Sequence, residues 1–182
     1  MKGSFVEIID SKELYMDNNS DNDRGSEHIS CWTHFYISSV GEYSSDKGYV
    51  SKKEDTFDPD ELTELLGIKP RNAWKYGDHV EVSSNPDRCH MNSRWFSERV
   101  YEPPVDRFNH FYAIIQNLIP HEKELVEFKK NHNVYYEIEM CIYEGSCSDI
   151  LLESDVLAFC SRIGIEIRFN TVLLTYDPEE DT

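Results

Sequence analysis

The segment VYYEIEMCIY, residues 134–143, constrains the fold more than any other because apolar and charged side chains alternate along it. Every second position from Val134 to Ile142 is apolar, and Glu137 and Glu139 lie between these positions. A period of two places successive side chains on opposite faces of a β-strand. The segment is therefore predicted to be a strand with an apolar inward face and an outward face that carries both glutamates.

Three further segments are predicted to be strands, at residues 29–41, 92–99 and 165–176. In the first of them, one face carries Cys31, Phe35 and Ile37, and the other carries Trp32, His34 and Tyr36. We expect His34 and its neighbours to cover the sheet rather than to bind a metal ion.

The segment TFDPDELTELLGIKP carries the signals of a short helix that is capped at both ends. Asp58 is the predicted N-cap, Pro59 occupies the first helical position, and Glu61 completes a capping box. Gly67 can adopt the left-handed C-cap conformation, and Pro70 prevents the helix from continuing. Further helices are expected at 105–118, after Pro120, and at 153–163 before Gly164.

The order of these elements, strand, helix, strand, two helical segments, strand, helix and strand, predicts an α+β fold. We expect a mostly antiparallel or mixed sheet of about four to five strands, with helices packed on one face and the other face exposed. Residues 29–176 are expected to form a single domain. They follow residues 1–28, which are expected to be an acidic extension or an edge strand with a loop, and precede an acidic tail at 177–182.

The net charge of −17 argues against direct binding to nucleic acids or to anionic membranes, and it favours a basic protein partner. Solubility alone is an equally good explanation of the charge. The chain has no apolar run long enough to cross a bilayer, and acidic residues interrupt the region where a signal peptide needs an apolar core. Its five cysteines are an odd number without a CxxC pair, which is typical of reduced thiols in a cytoplasmic protein.

The sequence contains none of the usual catalytic motifs, so no enzymatic activity, cofactor or metal site is predicted. Glu137 and Glu139 are expected to lie about 7 Å apart on one face of a strand. Such spacing suits paired catalytic carboxylates, but a solvated strand face is the simpler interpretation. The acidic run at 17–28 resembles a calcium loop, yet Asn22 and His28 replace its essential glycine and glutamate.

The best candidate for a binding site lies in the middle of the chain. Residues 69–107 carry seven basic and six acidic groups, so they form a locally neutral to basic region in an acidic protein. Residues 70–78 are predicted to be a loop, and arginine with tryptophan is typical of interfaces and of sites for planar anions. The candidate binding residues are Arg71, Trp74, Lys75, Asp78, Arg94 and Trp95. In the alternative interpretation Trp74 covers the sheet end, Trp95 faces the core, and the arginines pair with local acids such as Asp78.

These motifs together resemble a bacterial family known as a domain of unknown function, DUF4279. The resemblance runs from about Cys31 to Tyr176, and this chain departs from it in a long acidic N-terminus and an inserted loop at 44–55. It implies a small cytoplasmic bacterial domain, similar to proteins encoded near toxin or phage-defence genes, and it implies no catalytic residues. The matching positions are Gly41, Asp58-Pro59, Leu66-Gly67-Ile68, Pro70, Trp74, Gly77-Asp78 and Arg94-Trp95.

Two functions follow from these observations. The first is a non-enzymatic, acidic protein-binding module of the immunity or antitoxin type, which occludes a basic partner and uses Asp58, Asp60, Glu61 and Glu64 to steer the encounter. The second is a ligand-sensing regulatory domain that binds a small anion or a nucleotide through Arg71, Trp74, Lys75 and Arg94.

Overall fold

The computed structural model describes residues 31–45, 48–81, 83, 85, 87–101, 110–143 and 150–172. The predicted extension at 1–28, the tail at 177–182 and the first residues of the helix predicted at 105–118 lie outside the described residues.

A mixed sheet of six strands forms the centre of the fold, in the order β4-β5-β1-β7-β8, with β6 also paired to β1. All neighbours are antiparallel except β7 and β8, which are parallel. A separate antiparallel hairpin joins β2 and β3. The strands are β1 Cys31–Ser39, β2 Gly41–Ser44, β3 Gly48–Ser51, β4 Asn72–Trp74, β5 Arg94–Phe96, β6 Val100–Tyr101, β7 Val134–Tyr143 and β8 Ile165–Val172.

Four α-helices lie among the described residues: α1 Pro59–Leu66, α2 His110–Leu118, α3 Glu122–Asn131 and α4 Ser154–Ile163. A 3-10 turn at Ile119–His121 separates α2 from α3, as Pro120 predicts. The helices pack against one face of the sheet, so the prediction of an α+β fold with a mixed sheet is confirmed. Both layers contribute to the core, which includes Phe35, Ile37, Trp95, Phe111, Ile115, Leu125, Tyr136, Ile138 and Phe159.

Both predicted caps of α1 are present. The Asp58 side chain accepts a hydrogen bond of 3.0 Å from the backbone N–H of Asp60, and Pro59 opens the helix. Gly67 ends it in the left-handed conformation with φ of 62°, which a glycine adopts without a steric penalty. The predicted capping box is wrong, because the Glu61 carboxylate lies 3.6 Å from Nε2 of His132 instead of accepting from the backbone N–H of Asp58.

The prediction of a loop at 70–78 is wrong for three residues. Asn72, Ala73 and Trp74 form β4, which pairs with β5 through Trp95 and its neighbours. This strand is too short for an alternating pattern to be visible, and its conformation depends on pairing with residues about twenty positions later. As a result, the Trp74 side chain is held on the sheet instead of on a loop.

The expectation that one face of the sheet is exposed is also wrong. All nine residues of β1 are buried, including those that point away from the helices. Glu137 on β7, expected to be solvated, is only 1% exposed. The central side chains of this helix-free face are therefore packed and not solvated.

Candidate functional site

The register of the sheet decides which side chains share the face opposite the helices. Residues directly opposite each other in paired strands project to the same side. His34 is opposite Glu139, Tyr36 is opposite both Glu137 and Phe96, and Arg94 is opposite Trp74. We call this side the helix-free face; its side chains include Trp32, His34, Tyr36, Trp74, Arg94, Phe96, Tyr135, Glu137, Glu139 and Arg168.

Aromatic rings form a continuous row across the helix-free face. Trp74 stacks on His90 with ring centroids 4.4 Å apart and an interplanar angle of 17°. The Phe96 centroid lies 5.3 Å from Trp74 and 5.3 Å from Tyr36. His34 continues the row, 5.5 Å from Phe96 and 4.9 Å from Trp32. Contacts of this kind fix the orientation of each ring.

A network of polar side chains lies beside the aromatic row. Nε2 of His34 is 3.1 Å from Oε2 of Glu139, whose other carboxylate oxygen accepts a hydrogen bond from Asn170. Glu137 accepts hydrogen bonds from the Tyr36 hydroxyl and from Nε of Arg168, both at 2.8 Å. The two glutamates therefore have separate partners, and neither is a solvated surface group.

Burial and neighbouring charges shift the pKa values of these groups in different directions. Burial lowers the pKa of His34 below its ordinary value, against the effect of the hydrogen bond that His34 donates to Glu139, and the charges of Arg71 and Arg99 lower it further. Burial opposes ionisation of Glu139, but His34, Arg168 and Arg94 together lower the pKa of its carboxyl group. Burial raises the pKa of Glu137, in spite of Tyr36 and Arg168. The neutral imidazole is thus favoured at His34, beside an ionised Glu139.

Four arginines converge on this region. Arg99 lies over the Trp32 ring at 4.1 Å, and Arg94 lies 6.0 Å from the Tyr49 ring and 5.9 Å from the Trp74 ring. Arg168 belongs to β8, and the charge of Arg71 acts on His34. On the same face lie the carboxylates of Glu137, Glu139 and the exposed Glu166.

The predicted binding residues do not all lie in one place. Trp74 and Arg94 share the helix-free face, and Arg71 lies beside it, where its backbone N–H donates to the carbonyl of Phe96 at 2.9 Å. Trp95 points to the opposite side, is fully buried in the core, and donates to Thr63 at 3.1 Å.

Lys75 and Asp78 belong to the turn that follows β4. Lys75 forms an ion pair with Asp58, and the Asp78 carboxylate accepts a hydrogen bond from the backbone N–H of Lys75 at 2.7 Å. Asp58 is thus engaged both as a helix cap and as the partner of Lys75. Among the predicted steering acids, the exposed ones are Asp60, Glu61 and Glu64.

Sequence reasoning missed several residues of the face, namely His34, Tyr36, Phe96, Arg99 and Arg168. Each is a polar or aromatic residue at an alternate position of a strand or just beyond one. The alternation in residues 29–41 and 134–143 identified the faces correctly. What it lacked was the pairing register, which brings residues 105 positions apart, His34 and Glu139, into contact.

Other candidate sites in the described part of the chain are less developed. A polar surface depression of about 390 Å³ lies between Glu54–Thr56 and Lys129–Asn133 and has no aromatic lining other than His132. No three His, Cys, Asp or Glu side chains of the described residues converge as metal ligands. No helix in the described ranges is long and apolar enough to cross a membrane.

The cysteines are mostly buried, as predicted. Cys31, Cys141 and Cys160 are buried and Cys89 is exposed, whereas Cys147 lies outside the described residues. Burial raises the pKa of the Cys141 thiol to about 11 and that of Cys160 above its ordinary value, so both thiols are protonated and unreactive at neutral pH.

Comparison with known proteins identifies a family but no characterised relative. No curated protein and no solved structure gives a significant match to this chain. The family model for the domain of unknown function DUF4279 matches residues 49–174, which is more than half of the chain and includes α1, β4, β5 and both strands β7 and β8. The chain belongs to the DUF4279 family.

Proposed function

We propose that this domain binds a small anion or nucleotide at the helix-free face, without turnover, and acts as a ligand-sensing module. The observation that carries the proposal is the placement of guanidinium groups on aromatic rings. The Arg99 guanidinium lies 4.1 Å from the centroid of the Trp32 ring, and that of Arg94 lies 6.0 Å from the Tyr49 centroid and 5.9 Å from the Trp74 centroid.

Stacking on a ring uses the flat face of a guanidinium group and leaves the N–H groups along its edge to bind acceptors. Two parallel N–H groups match the geometry of a carboxylate or a phosphate. The rings also hold the arginine side chains in position, which reduces the conformational entropy lost when a ligand binds. The face is thus organised to receive an anion, although the protein as a whole is strongly acidic.

The polar groups of the face support binding rather than catalysis. Glu137 is held by Tyr36 and Arg168, and Glu139 is held by His34 and Asn170. Both carboxylates therefore have fixed ionic or hydrogen-bonding partners, which suits a structural role beneath a binding surface.

Isothermal titration calorimetry with inorganic phosphate and with adenosine monophosphate tests this proposal. Arg94→Gln and Arg99→Gln should each reduce the affinity for the more tightly bound of the two ligands about tenfold, because each removes a charge-assisted hydrogen-bond donor. Lys75→Gln and Arg162→Gln are matched controls, since both residues form ion pairs away from the face. The proposal is wrong if the wild-type protein binds neither ligand. It is also wrong if the control substitutions weaken binding as much as the substitutions on the face.

A second candidate function is the occlusion of a basic protein, as an immunity or antitoxin protein does. The observation that favours it is the exposed acidic side of α1, where the Asp60 side chain is 87% exposed and Glu61 and Glu64 are also exposed. On the β2–β3 hairpin, Tyr43 is 70% exposed and could anchor such a partner. In both candidate functions the protein acts in the cytoplasm, in keeping with its buried thiols.

Charge reversal distinguishes the two candidates. A triple variant, Asp60→Lys with Glu61→Lys and Glu64→Lys, should abolish capture of a basic protein from a lysate of the native host, while Arg94→Gln should not. If the triple variant still captures the same partner at full strength, steering by α1 is wrong. If Arg94→Gln alone abolishes capture, the partner binds the helix-free face instead.

A further inference from the structure

We propose that two copies of this chain associate through the outer edge of β8, paired antiparallel about a two-fold axis at Ile167. This association is separate from the proposed binding function and needs no ligand at the helix-free face. The partner is a second copy because the side chains along β8 are complementary to themselves when the strand is turned about that axis.

β8 forms one end of the central sheet. It is the last strand in the order β4-β5-β1-β7-β8, so no strand of the described residues pairs with its outer edge. β8 has eight residues, whereas β4 at the opposite end has only three. A long edge offers a row of backbone N–H and C=O groups to another strand, and a short edge does so much less. β8 is therefore the edge of this sheet to which a further strand can add.

The side chains of β8 alternate between the two sides of the sheet. The charged ones lie on the helix-free face and the apolar ones on the side that the helices cover: Glu166 and Arg168 on the first, and Ile165, Ile167 and Phe169 on the second. A second copy matches these sides when both helix layers lie on the same side of the joined sheet. A two-fold axis perpendicular to the sheet produces this arrangement, and it also places the two helix-free faces side by side.

One register of this kind pairs the charges of β8 with their opposites. With Ile167 on the axis, Glu166 lies opposite Arg168 of the second copy, and Arg168 lies opposite Glu166 of the second copy. On the other side of the sheet, Ile165 lies opposite Phe169 of the second copy, and Ile167 lies opposite its own counterpart. Directly opposed side chains have Cβ atoms about 4.5–5.5 Å apart, so opposite charges attract and apolar groups bury each other.

The neighbouring registers lack this complementarity. An axis at Glu166 places two carboxylates opposite each other, and an axis at Arg168 does the same with two guanidinium groups, which is destabilising in both cases. An axis at Phe169 places Arg168 opposite Asn170, so neither charge of the strand meets one of opposite sign across the junction. The register about Ile167 is thus favoured both by charge and by the burial of apolar side chains.

The side chains that would meet are accessible in the single chain. Glu166 is exposed, and the Arg168 side chain is 40% exposed while its Nε contacts Glu137 at 2.8 Å. Phe169 is 42% exposed, and Ile165 of the second copy would cover part of its ring. The backbone places no further condition on the register, because a two-fold axis can pass through either kind of residue pair in an antiparallel ladder.

The junction is small, so the dimer is expected to be reversible. It joins residues 165–169 of each copy, which is a short contact beside a standard interface of about 1,600 Å². We expect a dissociation constant on the order of 10 µM at about 0.15 M salt, which screens the repulsion between two acidic copies. Analytical ultracentrifugation of the full chain from about 5 to about 500 µM covers the transition from monomer to dimer.

Charge reversal at one residue of the junction tests the interface. Glu166→Lys should weaken dimerisation at least about tenfold, because it places like charges opposite each other at two positions. Glu64→Lys is the matched control, since it changes the net charge equally at an exposed position of α1 and should dimerise as the wild-type protein does. Equal dimerisation of Glu166→Lys and the wild-type protein would mean that the copies meet elsewhere, and the inference would be wrong.

A mixture of two variants tests the register itself. Arg168→Glu places carboxylates opposite each other in its own dimer, so it should also dimerise at least about tenfold more weakly. When Arg168→Glu is mixed with Glu166→Lys, each altered residue lies opposite the other, and the unaltered Glu166 and Arg168 still form the second pair. The mixture should therefore form a heterodimer. Two folded variants that do not associate when mixed would contradict the register.

Amide hydrogen exchange of the wild-type protein provides a measurement that does not depend on a variant. The amides of residues 165–169 that face outward should exchange more slowly at about 500 µM than at about 5 µM, because the second copy covers them. A wild-type protein that remains monomeric at about 500 µM overturns the inference. Slow exchange of these amides at every concentration would also overturn it, since another segment of the same chain would then cover the edge.

Discussion

His34 on β1 and Glu139 on β7 are direct cross-strand partners, and Nε2 of the histidine lies 3.1 Å from Oε2 of the glutamate. The pair lies at the centre of the helix-free face, between the aromatic row on β1 and β5 and the arginine and asparagine of β8. It joins two central strands through side chains as well as backbone. The following variants test its energetic role and the roles of the surrounding groups.

The stability of the wild-type protein should increase with pH through the range in which an ordinary histidine loses its proton. The pKa of His34 is lowered on folding, so below about 6.5 the unfolded chain binds a proton that the folded protein does not. The free energy of unfolding then rises with pH by at most about 1.4 kcal/mol per unit from this residue and levels off above the unfolded pKa. Urea denaturation at several pH values measures this slope.

His34→Asn should reduce that slope, whatever its effect on stability at neutral pH. His121→Asn is the control, because His121 lies in the turn between α2 and α3. An unchanged slope in His34→Asn would show that His34 titrates on folding as an exposed histidine does.

Glu139→Gln should destabilise the protein by about 2 kcal/mol at neutral pH, since it replaces a charge-assisted hydrogen bond to His34 in a largely buried site. The lowered pKa of Glu139 means that its contribution is present above the unfolded pKa and is lost as the pH falls through the folded pKa. The difference between wild type and variant should therefore narrow in acid.

The matched control for this change is Glu166→Gln, which alters an exposed carboxylate on β8. It should change the urea midpoint little. Equal effects of the two substitutions would contradict a special role for the His34–Glu139 pair.

The two tryptophans of the central region should separate stability from binding. Trp95→Phe replaces a fully buried ring with a smaller one and loses the hydrogen bond to Thr63. It should therefore lower the free energy of unfolding by about 2 kcal/mol and leave the affinity for the anion unchanged. Trp74→Phe loses the hydrogen bond to Asn92 and part of the ring beside Arg94, and it should weaken anion binding. Urea denaturation measures the stability of each variant, and calorimetry on the same samples measures its affinity for the anion. A loss of affinity in Trp95→Phe alone would contradict the assignment of Trp74 to binding and of Trp95 to stability.

Asp58 combines two roles that substitutions can separate. Asp58→Ala should destabilise the protein by about 1 kcal/mol because α1 loses its N-cap. Asp58→Asn keeps a capping oxygen and loses only the ion pair with Lys75, so it should cost less. Thermal denaturation measures the stability of both variants. Equal losses of stability would mean that Asp58 stabilises the protein through its ion pair with Lys75 and not through the cap.

The regular elements could be predicted from sequence because their signals are local. Alternation along 134–143 and the caps at Asp58 and Gly67 depend on neighbours a few residues apart, and each of these elements is present. β4 could not be predicted, since three residues carry no period and its conformation comes from pairing with β5. The same limitation led to the prediction of a loop around Trp74.

The candidate site was predicted only in part for a similar reason. Arg71, Trp74 and Arg94 were recognised by residue type, but Lys75 and Trp95 are adjacent in sequence to residues of the face and project elsewhere. His34 was interpreted as a covering residue because its partner Glu139 is far away in the chain. Residue type indicates what a site can bind, whereas the register of the sheet decides which residues form it.

Nuclear magnetic resonance of isotope-labelled protein, titrated with sulfate and with adenosine monophosphate, shows directly whether the helix-free face binds an anion. We expect one of them to shift resonances of the helix-free face in a saturable manner and to leave those of the exposed acids of α1 unchanged. The face resonances are those of His34, Arg71, Trp74, Arg94 and Arg99, and the acids of α1 are Asp60, Glu61 and Glu64. Saturable shifts confined to α1, or none at either group with both ligands, would contradict anion binding at this face.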